Sequence, residues 1–114
     1  LNPIDWNTIF ESVEKTGRLL AVDSASITGS ISGEIVARVS SDRFSFLKSP
    51  PVRVAQPDIP EPTSFGLTHN FHARSKVIIK NVMGMLKIKN QEFEKKYQDP
   101  SPHDVPGSWF KGPF

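Results

Sequence analysis

The chain has 114 residues, with 14 basic against 12 acidic side chains and a formal charge of +2. That is room for one domain with a modest core, and too small a charge excess to point to a nucleic-acid partner. Cysteine is absent, which removes disulfides, thiolate metal sites and thiol catalysis together.

No apolar run approaches the roughly 18 to 20 residues of a membrane span, so the chain reads as soluble with no membrane partner. It opens "LNPIDW", without an initiator methionine or the regions of a signal peptide, and is expected to be a piece of a longer protein. The expected compartment is the cytoplasm, or the mitochondrial matrix if the source is eukaryotic.

In "NPIDWNTIFESVEKTGR", Trp6, Ile9, Phe10 and Val13 fall on one helical face. Asp5 is placed to cap the start and Gly17 to end it, which predicts a helix over Trp6–Thr16. "RLLAVD" follows as a short apolar run without alternation, the pattern of a strand covered on both faces. After "TGSISGEI", Ile31, Ile35 and Val39 recur every fourth residue and predict a second helix, which Phe44 and Leu47 could extend. "PVRVAQ" predicts a strand over Val52–Gln56, halted by the prolines of "PDIPEP". "RSKVIIKNVMGMLKI" predicts a third helix with Lys76, Lys80 and Lys87 on its exposed side.

The domain is expected to occupy 1–88, and 89–114 to form a charged, Pro/Gly-rich tail. Helix, strand, helix, strand, helix is an α/β pattern with parallel strands. Two strands do not make a stable sheet, so others are expected from "PTSFGLTHN", from sequence before Leu1, or from another chain.

"TGSISGEI" does not fit a nucleotide or nucleophile motif. It lacks a lysine after its second glycine, Gly29 and Gly33 are wrongly spaced for a dinucleotide fingerprint, and the centre of "GSISG" is Ile31. Two readings remain. In the first it is a turn in which Gly29 takes positive φ and Ser30 or Ser32 caps a helix; in the second Ser30, Ser32 and Gly33 form an anion site at the helix start. His69, His72 and His103 lack the spacing of a metal site, and a triad of Ser24, His72 and Asp58 has no specificity. Arg53 is a charge inside an apolar run, and either pairs with Glu34 or Asp58 or faces solvent at an edge. Trp109 and Phe110 either fold back on the domain or anchor a partner.

Taken in order, these segments resemble the C-terminal domain of the transketolase superfamily, and within it the beta subunit of thiamine-diphosphate-dependent 2-oxo acid dehydrogenases of pyruvate and branched-chain type. "LNPIDWNTIFESVEKTGRLLAVDSA" is similar to that family's entry into the domain, and "TGSISGEIVARV" to its Thr-Gly-Gly turn and Gly-Ala-Glu-Ile helix start. "PVRVAQPDIPEP" carries its proline signature in Pro57, Asp58, Pro60 and Pro62, and "FHARSKVIIKNVMGML" is similar to its closing helix.

The resemblance implies a three-layer α/β sandwich around a mixed, mostly parallel sheet of about five strands with helices on both faces, the first strand lying before Leu1. It implies a noncatalytic assembly domain, with Gly29, Glu34, Arg53, Asp58 and Pro60 in structural roles. Thiamine diphosphate and magnesium are then bound elsewhere in the parent, and no cofactor by this segment. The implied partners are the parent's other subunits and the acyltransferase component; a homodimer of the segment through open strands is a further expectation. The chain departs from the family at Ser24, Ser30 and Ser32, where relatives carry glutamate and two glycines, and in the added tail. Alternatives are the C-terminal domain of another transketolase-like enzyme, such as a deoxyxylulose-phosphate synthase or a ferredoxin-linked oxidoreductase, and a stand-alone protein- or anion-binding module.

Overall fold

The computed structural model describes residues 2–89 and 110–112. Helix α1 (Trp6–Thr16) has its predicted bounds because both ends are chemically marked. Asp5 accepts the Thr8 amide at 3.1 Å and the Thr8 hydroxyl at 2.7 Å, so a first-turn donor is satisfied. Gly17 ends the helix at φ 71°, its amide returning to the Val13 carbonyl at 2.7 Å.

The buried face of α1, Phe10 and Val13, meets Val39 of α2 (Ile31–Asp42), with Trp6, Ile9, Leu19 and Leu47 at the margin. Two arginines at the end of α2 cover this contact from outside. Arg38 stacks 4.3 Å from the Trp6 ring centre and Arg43 4.2 Å from that of Phe10, while Arg43 also pairs with Glu14.

Between the helices lie β1 (Leu20–Ser26) and β2 (Val52–Gln56), paired in parallel as predicted. Leu20 aligns with Val52, Ala21 with Arg53 and Val22 with Val54, and the register shifts before Ser26 meets Gln56. Both strands contact α2 and also α4 (Ser75–Leu86). In α4 no residue is fully buried. Arg18 ties its end to the start of the sheet by donating from Nε to the Met85 carbonyl at 3.2 Å.

The structure corrects four sequence expectations. First, the described residues do not cover β1 on both faces: Val22 is 50% exposed although its neighbour Val54 is buried. Second, the buried stripe of α2 starts at Ser32, not Ile31, because Ser32 turns inward to bond Ser30. Third, that helix does not extend through the phenylalanines. It stops at Arg43, φ −132°, and Phe44–Phe46 form a 3-10 turn that leaves both rings exposed while Leu47 alone reaches the core. Fourth, "PTSFGLTHN" holds a single helical turn, α3 (Phe65–Thr68), rather than a strand. Its Ser64 carbonyl receives the Leu67 and Thr68 amides, and the Thr68 hydroxyl returns to the Phe65 carbonyl. Those local bonds compete directly with a ladder.

Candidate functional site

The turn from β1 into α2 is built around two carboxylates. Gly29 turns the chain at φ 77° and Ser30 is the extended N-cap residue, but neither serine side chain caps the helix. Ser30 Oγ and Ser32 Oγ instead share a buried hydrogen bond of 2.6 Å. The cap comes from the preceding strand: Asp23 accepts the Ser32 amide at 3.2 Å and the Ala25 amide at 3.1 Å. These amides, Ala25 first and Ser32 second, hold the Asp23 carboxyl below the usual carboxylate range. On the other side Asp58 accepts the Thr28 hydroxyl at 2.6 Å and the Thr28 amide at 3.0 Å. The hydroxyl, then the amide, hold its carboxyl low too, with help from the Arg53 charge.

Asp23 therefore occupies the helix start that an external anion would need. Arg53 donates from Nη1 to the Ile27 carbonyl at 2.7 Å, and among the described residues no ion pair joins it to Glu34 or Asp58. Gly33 leaves room for that guanidinium, since a Cβ there would lie 3.0 Å from Arg53 Nη1. Glu34 is exposed in the first turn of α2, and Pro60 is exposed in the segment after β2.

The triad read from the sequence is not assembled among the described residues. His72 meets Gln56 at 3.4 Å and Glu61 at 3.8 Å, and among the described residues it bonds neither Ser24 nor Asp58. No group of three histidine or acidic side chains among them could hold a metal ion. With Asp23 and Asp58 engaged by loop amides, these residues do not fit a magnesium-bound diphosphate. Trp109 lies outside the described residues; Phe110 is 46% exposed.

What the fold does present is incomplete burial. In a parallel strand alternate residues direct both amide and carbonyl to the same neighbour. The Leu19 carbonyl accepts from Val52 in β2, so Val22, three residues on, turns its backbone to the open edge of β1. Its side chain is half exposed at the same place. Among the described residues Phe44, Phe65, Leu67 and Val77 are also exposed.

The family model for the transketolase C-terminal domain matches residues 1–76. The chain belongs to that family. This transketolase C-terminal domain is 42% identical over 78 residues to the pyruvate dehydrogenase E1 component subunit beta of Mycoplasma pneumoniae, covering 68% of the chain and 24% of the relative. It is 40% identical over 62 residues, 54% of the chain and 19% of the relative, to the protein of that name from Gracilaria tenuistipitata. It is 44% identical over 64 residues to the acetoin:2,6-dichlorophenolindophenol oxidoreductase subunit beta of Cupriavidus necator, covering 56% of the chain and 19% of that protein. The chain thus spans about a quarter or less of the length of these curated relatives. No helix among the described residues is long and apolar enough to cross a membrane.

Asp23 is the residue that motif reading overlooks in this transketolase C-terminal domain. Its signal was available: a lone acid closing the apolar run "RLLAVD", before a Gly/Ser turn and a helix. The cap is tertiary, reaching across nine positions, whereas cap rules scan the residues next to the helix.

Proposed function

We propose that this domain is a noncatalytic assembly unit in the beta subunit of a thiamine-diphosphate-dependent 2-oxo acid dehydrogenase, whose reaction takes place in domains outside this chain. The observation that carries the assembly role is Val22, with its side chain half exposed and its backbone turned to an open edge. Parallel strands are ordinarily interior, covered on both faces and paired on both sides. A two-stranded parallel sheet therefore calls for more strands, and the sheet of about five strands would be completed by parent sequence joining the outer edge of β1. The domain's contribution to catalysis is positional: it buries apolar faces against neighbouring subunits so that a cofactor cleft elsewhere keeps its shape. The Asp23–Ser32 and Asp58–Thr28 contacts support this by making the "TGSIS" turn a rigid corner rather than a ligand site. Trp109 and Phe110 would add to a subunit or acyltransferase contact, and an isolated segment would pair with itself through the same open edge.

The test is assembly of the full-length subunit with its partner subunits, followed by native mass spectrometry, for wild type and Val22→Lys. An interior strand predicts a folded subunit that no longer assembles or a beta chain that fails to fold; wild-type assembly and stability in the variant would refute it.

A second reading is favoured by the 44% identity to the acetoin oxidoreductase subunit: a parent acting on acetoin rather than on a 2-oxo acid. Assaying the assembled parent with pyruvate and with acetoin separates the two.

A further inference from the structure

We propose that the groove between the 48–52 segment and the last turns of α4 binds a small organic polyanion, one carrying a phosphate or several carboxylates. The groove is open to solvent and has a volume of about 670 Å³. Three lysines, Lys48, Lys80 and Lys87, are among its lining residues, and no carboxylate among the described residues pairs with any of them. Val52 and Met85 supply an apolar wall. Ser49 is also in the lining.

Two features place the charges. The Lys48 amide donates to the Gly17 carbonyl at 2.8 Å and its aliphatic stem lies against Gly17, so its ammonium starts from a fixed base. Lys87 holds the left-handed position after α4, φ 57°, where glycine or asparagine is the easier residue. A strained backbone that retains a long cationic side chain at a groove points to use of that side chain.

The negative end of α4 would oppose an anion, but its carbonyls are engaged. Met85 receives Arg18 Nε, Gly84 the Lys87 amide, and Met83 the Ile88 amide. Arg18 thereby brings a fourth cation to this end of the helix. Lysines donate and do not accept, so the three lysines favour oxyanions over cations. This site is independent of the assembly reading.

The experiment titrates the full-length protein with glycerol phosphate and, separately, citrate, following affinity by calorimetry and location by hydrogen exchange. In Lys80→Gln/Lys87→Gln the affinity for at least one probe should fall about tenfold, and in the control Lys15→Gln/Lys76→Gln it should stay within about twofold. Binding of glycerol phosphate alone identifies a phosphate ligand, and binding of citrate alone a polycarboxylate. If the double variant does not fold, wild-type slowing of exchange at 48–52 and 80–87 on addition of a probe supports the site. Slowing elsewhere overturns it. So does absence of binding by both probes at about 10 mM, or an equal loss in the control, which marks nonspecific attraction.

Discussion

Gly17 and Gly84 should respond to alanine with opposite signs. At Gly17 the backbone is left-handed, φ 71°, and a Cβ would stand 2.7 Å from Lys48 Cγ and Cδ and 3.0 Å from the Phe46 carbonyl oxygen. The left-handed conformation costs a non-glycine residue about 1–2 kcal/mol. The lysine stem can swing away, but the Phe46 carbonyl belongs to the backbone and must shift, which adds crowding. Together these predict a loss of about 2 kcal/mol for Gly17→Ala, or about 10 °C in Tm for a domain of this size.

Gly84 lies inside α4 and a Cβ there meets nothing within 4 Å. Gly84→Ala should therefore gain about 0.5–1 kcal/mol by helix propensity. Urea unfolding of both variants beside wild type, followed by helical circular dichroism, reads the difference. A Gly17→Ala protein within about 0.5 kcal/mol of wild type would refute the corner described between α1 and the 46–48 segment.

Other substitutions probe the remaining contacts. Arg53→Met should destabilise by about 1.5 kcal/mol through loss of the bond to the Ile27 carbonyl, while Glu34→Gln should be nearly neutral. Unfolding titrations check both, and equal losses would restore a Glu34–Arg53 pair. Asp23 and Asp58 are held below their ordinary value of 3.8, so their stabilising effect is present above that value and is lost as pH falls through their lower folded values. Asp23→Asn/Asp58→Asn should accordingly flatten the acid limb of a stability–pH curve and leave its alkaline limb unchanged. Arg18→Met should free the Met85 carbonyl and speed amide exchange in the last turn of α4.

The elements with covalent or polar punctuation were legible in the sequence. Asp5 and Gly17 mark both ends of α1, and Pro51 and Pro57 bracket β2, so both have their predicted bounds. The end of α2 was not legible, because Phe44 and Leu47 continue its apolar period while nothing local shows that the helix stops at Asp42. At the turn, Gly29 was readable from its conformation alone, whereas the partners of Ser32 and Arg53 depend on how strand and helix meet in space. The uncovered side of β1 has the same origin. "RLLAVD" states that the strand wants cover on both faces, and the described residues supply only part of it. That mismatch is the physical ground for reading the domain as one part of a larger assembly.

The Val22 amide offers the most direct measurement. In the full-length subunit assembled with its partners, hydrogen exchange can compare Val22 with an exposed position such as Ser45. An interior β1 predicts exchange at Val22 at least about 100-fold slower than at Ser45, because a further strand would bond the outward backbone group. Equal rates would mean that β1 remains an edge in the intact protein, and would contradict an assembly role built on this strand.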